Sequence, residues 1–393
     1  MYSLDEFYII LEKNLLEPMF IQRFYFYPYG SYSSENFVVS IIPRWATKDS
    51  GDYKRPCMFQ IDQEPIFEDK LADLITDKWF GGAYSVKILK ILAHSERSES
   101  VKRLCKDYSM NSWYYFFHGF AALHWYAVFK HLPKIDYGFS KVFIALNHLV
   151  TKDRSYRLNL VARLMESDIL HHGLVSCQLE DSNGTWKQEI FSPNSLLSLD
   201  SKKLIAKHFA KMDKPLTVDQ TPHGMLSAEL DIDLMQQALW HVVTETIFYH
   251  DKLHLTEKIF KPIVARRPFM LVGAVGNLAY LKSYGFKTFD RWVDESYDLE
   301  TNPDKRIQMI VNELTRLSAM SHEELKNMHS EMQEILNFNF DHFYNGFKVK
   351  IVNELVDNFE ACLNQYNVGR IGDKRMDTGL VDYAAVKRLM LLP

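Results

Sequence analysis

The stretch Leu239–Gly273 constrains the fold most, because it places two short apolar segments on either side of a polar helix start. Its first segment, Leu239–Val243, contains β-branched residues and predicts a buried parallel strand. Pro268–Val272 predicts a second buried strand, and Leu255–Arg266 between them has apolar residues at helical spacing. A strand, a helix and another strand in this order predict an α/β fold with a parallel sheet.

Glu245 follows the first of these strands, within the polar run Thr244–Thr246. Ligands of open α/β sheets bind beyond the carboxyl ends of the strands, where a carboxylate can accept hydrogen bonds from a ribose diol. We therefore consider Glu245 a candidate ligand-binding residue. The alternative is a plain glutamate of a surface loop.

The helix start after this strand carries Thr256 as cap, Glu257 as first-turn acid and Lys258 as a cation. A cation in the first helical turn opposes the helix dipole, so Lys258 indicates that an anion such as phosphate binds there. A solvated lysine is the alternative. Pro262 is expected to kink this helix or to shorten it to little more than a turn on each side.

These residues resemble the donor-binding block of the fucosyltransferase-like glycosyltransferases, particularly their bacterial and phage-type members. The shared pattern is a strand ending in Thr-Glu-Thr, then Thr-Glu-Lys, then a Pro-Phe strand, followed by segments similar to Gly285–Phe289 and Asp294–Asp298. The resemblance spans roughly residues 140–345. It implies two Rossmann-like domains facing a cleft, the GT-B fold, and an inverting transfer of sugar from a nucleotide-diphosphate donor to a hydroxyl acceptor without an obligate metal.

A second candidate donor-binding segment follows the predicted strand Lys141–Leu146 and begins with Asn147. Arginine matches the geometry of phosphate oxygens, and here it occurs beside a helix N-terminus. In the resembled family the strand is followed by Asn and later by an Arg that clamps the donor diphosphate. Arg157 matches that position best, and Arg154 is the second candidate.

Glu64 is the candidate general base, because it follows the predicted strand Met58–Ile61 directly before Pro65. A hydroxyl that attacks a sugar must lose a proton, and a carboxylate can accept it. In the resembled family an acid before Pro has this role. Glu64 is alternatively only a polar loop residue beside Asp62.

The 393 residues, of which 47% are hydrophobic and 24% charged, suffice for two domains. We expect an N-terminal acceptor-side Rossmann-like domain at residues 1–136 and a C-terminal nucleotide-sugar-binding domain at residues 137–365, with a boundary near Pro133–Ser140. The tail, residues 366–393, ends in apolar residues that could pack back on the first domain. The polar segment 180–228 has no clear periodicity, so the sequence assigns it no role.

Charge and cysteine usage limit the class of protein. A net charge of −4 gives no global attraction for nucleic acid or acidic membranes. The four cysteines are scattered without a CxxC pair, which argues against a zinc site or a disulfide framework. The first residues lack the basic charges of a signal peptide, and no apolar run reaches the roughly 18 residues of a membrane span. A cytoplasmic protein is expected, in the host cytoplasm if the chain is phage-encoded.

The triplet Asp231-Ile232-Asp233 spells DxD, which binds a divalent cation in metal-dependent glycosyltransferases of the other common fold. Such a motif should follow an apolar strand, whereas here it precedes a helix-like segment. We therefore predict no catalytic metal and no obligatory cofactor, with the nucleotide sugar as co-substrate.

The sequence is also compatible with two other functions. One is a phage-type glycosyltransferase that modifies a hydroxymethylated base in DNA, against which the acidic charge balance argues. The other is a catalytically silent protein that binds a nucleotide sugar or glycan. The presence of Arg157, Glu245 and Lys258 argues against loss of the donor site, but it says nothing of the acceptor site. The sequence leaves the sugar, the nucleotide, the acceptor and the oligomeric state open.

Overall fold

The structure is a computed structural model that describes residues 3–28, 37–40, 56–66, 89–132, 138–218, 227–368 and 375–392. The fold is mixed α/β with parallel sheets, as the sequence predicts. Two compact units are present, Met1–His124 with Lys348–Pro393, and Trp125–Phe347. The expected ranges 1–136, 137–365 and 366–393 stay predictions, since the boundary residues 133–137 lie outside the described residues.

The first unit contains a five-stranded sheet in which four strands are parallel. In chain order the strands are β1 (Gln22–Pro28), β2 (Phe37–Ser40), β3 (Cys57–Ile61), β4 (Lys90–His94) and β5 (Asn111–Tyr114). Their order across the sheet is β2, β1, β3, β4, β5, and β2 pairs with β1 antiparallel. The predicted strand Met58–Ile61 is therefore confirmed, with Cys57 added at its start.

Helices of the first unit come from both ends of the chain. Trp113 of β5 donates from Nε1 to the Leu355 carbonyl at 3.0 Å, and its ring packs 4.7 Å from that of Phe359. Met390 of the last helix lies with Phe7 and Val352 around a small apolar cavity. The helices are Leu4–Leu11, Glu99–Asp107, Phe117–Trp125, Lys348–Asn367 and Tyr383–Leu391.

The second unit contains a four-stranded sheet whose strands are all parallel. The strands are β6 (Lys141–Ala145), β7 (Gly173–Val175), β8 (Ala238–Thr244) and β9 (Phe269–Val272), in the order β9, β8, β6, β7. Every residue of β8 is buried, as expected of a central strand covered on both faces. The strands predicted on either side of the Thr-Glu-Lys segment are thus confirmed, and the structure shows them as parallel neighbours in one sheet.

The segment 180–228, to which the sequence assigned no role, contains two of the helices of this unit. In one of them, Leu199–Phe209, only Ser201, Ile205 and Phe209 are buried, so too few apolar residues mark its inner face. The helices are Tyr156–Glu166, Trp186–Phe191, Leu199–Phe209, Ile232–Gln236, Phe260–Val264, Asn277–Ser283, Pro303–Ser318 and His322–His342.

Candidate functional site

A cavity of about 490 Å³ lies at the carboxyl ends of β6, β7 and β8 in the second unit. Parallel strands end at the same edge of a sheet, so side chains from distant parts of the chain meet there. One part of the wall is apolar and includes Ile144, Leu146, Leu216, Met235 and Val242. The polar and charged part includes Asn147, Arg157, Thr244, Glu257, Lys258 and Lys261.

Asn147 holds the three strand ends together. Its side chain is fully buried and donates from Nδ2 to the Ser176 carbonyl at 3.1 Å, beyond the end of β7. Its Oδ1 accepts from Thr244 Oγ1, at the end of β8, at 3.1 Å. The predicted donor-binding residue therefore lines the cavity with an amide that is already fixed by hydrogen bonds.

Arg157 is also buried, with 3% of its surface exposed, on the helix Tyr156–Glu166. Its guanidinium donates to the carbonyls of Leu149, Thr244 and Glu245 at 2.8, 2.9 and 3.2 Å. These bonds join the loop after β6 to the end of β8. Most of the guanidinium N–H groups thus donate to backbone carbonyls. Arg157 therefore contributes mainly a fixed positive charge to the cavity.

Glu245 does not line the cavity. Its buried carboxylate accepts from the Thr256 hydroxyl at 2.5 Å and from the Thr256 amide at 3.3 Å. Burial raises the pKa of Glu245, while the charge of Lys258 and the hydrogen bonds from Thr256 oppose the rise. The structure places Glu245 and Thr256 behind the wall, where they orient the turn that carries Lys258. The ribose contact of Glu245 stays a prediction.

The Thr-Glu-Lys segment forms a short 3₁₀ turn, Glu257–Ile259, whose start is capped by Thr256. Lys258 Nζ lies 3.1 Å from Thr256 Oγ1 and 3.1 Å from Glu257 Oε1, and about a third of the lysine side chain, 32%, is exposed. The helix after it, Phe260–Val264, has five residues and contains Pro262. The expected shortening at this proline is confirmed.

Lys261 is a cavity residue that the sequence analysis missed. It follows Lys258 by three residues, a spacing that places two side chains on one helical face, and this was the available signal. Burial lowers the pKa of Lys261 to about 8, and the neighbouring charge of Glu257 opposes that change. The cavity is therefore lined by two lysines, of which Lys261 has a pKa lowered by burial, and by the carboxylate of Glu257.

Arg154 does not line the cavity, although the loop that contains it is well fixed. The Asp181 carboxylate accepts from the amides of Val150 and Thr151 at 2.7 and 2.9 Å and from the Thr151 hydroxyl at 2.7 Å. Glu189 accepts from the Lys152 amide at 2.9 Å. The start of the segment 180–228 thus holds the loop after β6.

Glu64 belongs to the first unit and is partly exposed just after β3. Its neighbour Asp62 is 1% exposed and accepts from Tyr115 Oη and Gln60 Nε2, both at 2.6 Å, and from Tyr8 Oη at 3.1 Å. Burial raises the pKa of Asp62, and these hydrogen bonds oppose the rise. Asp62 is thus held in a buried network, and the base role of Glu64 stays a prediction.

Asp231 is the N-cap of the helix Ile232–Gln236, where its carboxylate accepts from the Leu234 amide at 2.9 Å. The helix-start context predicted for the DxD triplet is confirmed. Among the described residues, no group of three or more His, Cys, Asp or Glu side chains is arranged to hold a metal ion.

The acids of the segment Asp294–Asp298 stabilise the region that follows β9. Glu295 accepts from the Phe289 amide and from Lys282 Nζ, both at 2.8 Å. Asp298 accepts from the amides of Leu278 and Ala279 at 2.9 and 3.1 Å, at the start of the helix Asn277–Ser283. These residues of the resembled pattern therefore have framework roles.

Comparisons of the chain with protein-family models, with curated proteins and with solved structures found no match. Within the described ranges, no helix combines the length and the apolar character needed to cross a membrane.

Proposed function

We propose that this chain is a glycosyltransferase that moves a sugar from a nucleotide-diphosphate donor to a hydroxyl acceptor. The observation that carries the proposal is the cavity at the strand ends of the second unit, which combines Arg157, Lys258 and Lys261 with an apolar wall. In the proposed GT-B architecture this unit binds the donor and the first unit provides the acceptor side. Each unit has a sheet that is wholly or mainly parallel, which supports that assignment.

The size and lining of the cavity suit a nucleotide. Ligand cavities commonly measure about 300 to 1,000 Å³ and combine apolar walls with a few fixed polar groups. The volume of about 490 Å³ lies within this range. An apolar wall that includes Leu146 and Val242 suits a flat base, and the lysines Lys258 and Lys261 suit phosphate oxygens.

The proposed chemistry is a single inverting displacement. The acceptor oxygen attacks the anomeric carbon, the bond from that carbon to the diphosphate breaks, and negative charge develops on the departing nucleoside diphosphate. Arg157 and Lys258 stabilise this charge electrostatically, which preorganised cations do effectively in a site that excludes water. Glu64 accepts the proton of the acceptor hydroxyl. This scheme requires no metal ion.

A thermal-shift panel of nucleoside diphosphates and nucleotide sugars tests donor binding, and the variant Lys258→Ala is the matched control. We expect stabilisation of the wild type by one class of nucleotide and a much smaller shift for the variant. Nucleotide sugars that bind are then incubated with candidate glycans, with small hydroxyl compounds and with hydroxymethylated DNA, and release of the diphosphate is measured.

The outcomes separate the candidate functions. Diphosphate release that depends on an added acceptor supports the transferase and identifies the acceptor class. Binding without release with any acceptor favours a silent nucleotide-sugar-binding protein. An equal thermal shift in wild type and Lys258→Ala would place the phosphates outside the cavity and contradict the proposal.

A further inference from the structure

The cavity wall carries a second lysine in addition to the one in the Thr-Glu-Lys segment. Lys258 lies in the 3₁₀ turn Glu257–Ile259, and Lys261 lies three residues later in the short helix Phe260–Val264. Both side chains line the same cavity. Glu257, which is 2% exposed, also lines it. Two amines on one wall provide more positive charge than the neighbouring carboxylate can compensate.

The two lysines differ in their surroundings. Lys258 is about a third exposed and forms an ion pair with Glu257 at 3.1 Å. Lys261 is partly buried on the cavity wall, and burial lowers its pKa to about 8, against the ordinary value of 10.5. The charged groups that act on it include Glu257 and Glu229, which favour its protonated form, and Lys258, which disfavours it. Arg157 contributes a further positive charge to the cavity wall.

We propose that Lys258 and Lys261 jointly hold the diphosphate of the nucleotide, and that Lys261 takes up a proton when this anion binds and gives it back when the anion leaves. This inference rests on the proposed function, and it adds a binding residue and a proton linkage to the same site. The balance is simple: one proton passes from solvent to the Lys261 amine on binding, and no covalent bond to the ligand forms.

The physical reason is electrostatic. In the empty cavity, desolvation and the charge of Lys258 disfavour a second ammonium group. A bound diphosphate places negative charge beside Lys261, so its protonated form becomes the favoured one. Since affinity and protonation are linked, the anion must bind more weakly as the pH rises above the pKa of the empty site. Release of the product is correspondingly easier at higher pH.

Calorimetric titration at pH 8 tests this linkage, because the heat of binding in buffers of different ionisation enthalpy gives the number of protons taken up. The probes are the diphosphates of adenosine, guanosine and uridine, whose terminal phosphate ionises near pH 6 and therefore contributes almost no proton at pH 8. For the wild type we expect uptake of about half a proton, since an amine with a pKa of about 8 is half protonated at that pH.

Three variants separate the contributions. Lys261→Arg keeps a positive charge but does not titrate, so it should bind the diphosphate without proton uptake and with an affinity that no longer falls between pH 8 and pH 9. Lys261→Met should bind at least about tenfold more weakly, also without uptake. Lys326→Met removes an exposed lysine of another helix and should behave as the wild type does.

Binding without proton uptake by the wild type, or equal uptake by Lys261→Arg, overturns the inference and leaves the proposed transferase unaffected. Absence of binding by all three diphosphates also overturns it. Proton uptake that disappears in Lys261→Arg supports the inference even if no acceptor yields sugar transfer, in which case only the proposed function fails.

Discussion

Thr244 and Asn147 meet across the neighbouring strands β8 and β6, where the Thr244 hydroxyl donates to Asn147 Oδ1 at 3.1 Å. The same asparagine donates to the Ser176 carbonyl beyond β7, so one buried amide joins the ends of three strands. A buried amide stabilises the fold only while its hydrogen-bond partners are present. An unsatisfied polar group in the interior lowers the free energy of unfolding.

We predict that Asn147→Ala lowers the free energy of unfolding by on the order of 1 to 3 kcal/mol, because it leaves the Ser176 carbonyl and the Thr244 hydroxyl without this partner. Thr244→Val keeps the shape and removes only the hydroxyl, so its effect should be smaller, about 1 kcal/mol. Urea denaturation of both variants measures the difference. Equal stability of Asn147→Ala and wild type would show that the amide does not hold the strand ends.

Lys258→Ala and Arg157→Ala should both weaken binding of the matching nucleoside diphosphate by roughly ten- to a hundredfold, because each removes a charge that favours the phosphates. They should differ in stability. Arg157 satisfies three backbone carbonyls, so its removal should lower the melting temperature, whereas the partly exposed Lys258 should matter little to folding. Calorimetry and thermal melting check the two expectations separately. Unchanged affinity in both variants would mean that the phosphates bind elsewhere.

His241 provides a pH-dependent test of the site framework. Burial lowers its pKa from an ordinary value of 6.5 to about 3, and the ring donates from Nε2 to the Met235 carbonyl at 2.8 Å. The unfolded chain therefore binds a proton at this residue between about pH 6.5 and pH 3, while the folded chain does not. Stability from this residue is present above pH 6.5 and is lost as the pH falls through that window.

His241→Gln removes the titration, so the stability difference between wild type and variant should shrink as the pH falls from 7 to 4. Urea denaturation at several pH values measures this difference, and the effects of all other titrating groups cancel in the comparison. A difference that stays constant over this range would show that His241 is not held neutral by the fold.

Glu64→Gln tests the proposed base. Removing a general base typically costs about 10² to 10⁴ in rate, and the donor contacts lie on other residues. The variant should therefore bind the nucleotide sugar normally and transfer sugar far more slowly. Asp62→Asn is the control on the neighbouring carboxylate, and we expect a smaller loss of rate together with lower stability, because Asp62 accepts three hydrogen bonds in the interior. Full turnover by Glu64→Gln would remove it from the mechanism.

The strands of the second sheet were predictable because buried parallel strands appear in a sequence as short apolar runs bounded by polar residues. Leu239–Val243 and Pro268–Val272 are two such runs. The shortened helix was predictable because Pro262 removes a backbone donor. The helix Leu199–Phe209 was missed because its inner face is marked by only two apolar residues, Ile205 and Phe209.

Some of the site residues were predictable from the sequence, and others were not. The sequence placed Asn147 and Lys258 at strand and helix ends, and both line the cavity. It could not reveal that Glu245 is hydrogen-bonded to Thr256, or that Arg157 is held by three carbonyls, because those partners depend on how separate segments meet. Lys261 was missed although it follows Lys258 by three residues, because that spacing alone does not show whether the shared face lies against a cavity or against water.

The hydrogen bonds of Asp181 and Glu189 connect the geometry of the site to the chain that follows these residues. Both carboxylates fix the loop after β6, and Glu189 also accepts from the Ser195 hydroxyl at 2.7 Å, so the path to the helix Leu199–Phe209 shares that restraint. Extra residues inserted between Phe191 and Ser198 would displace Ser195 from the carboxylate that also holds the Lys152 amide. A label or a small tag attached in this interval would therefore disturb the loop beside the cavity.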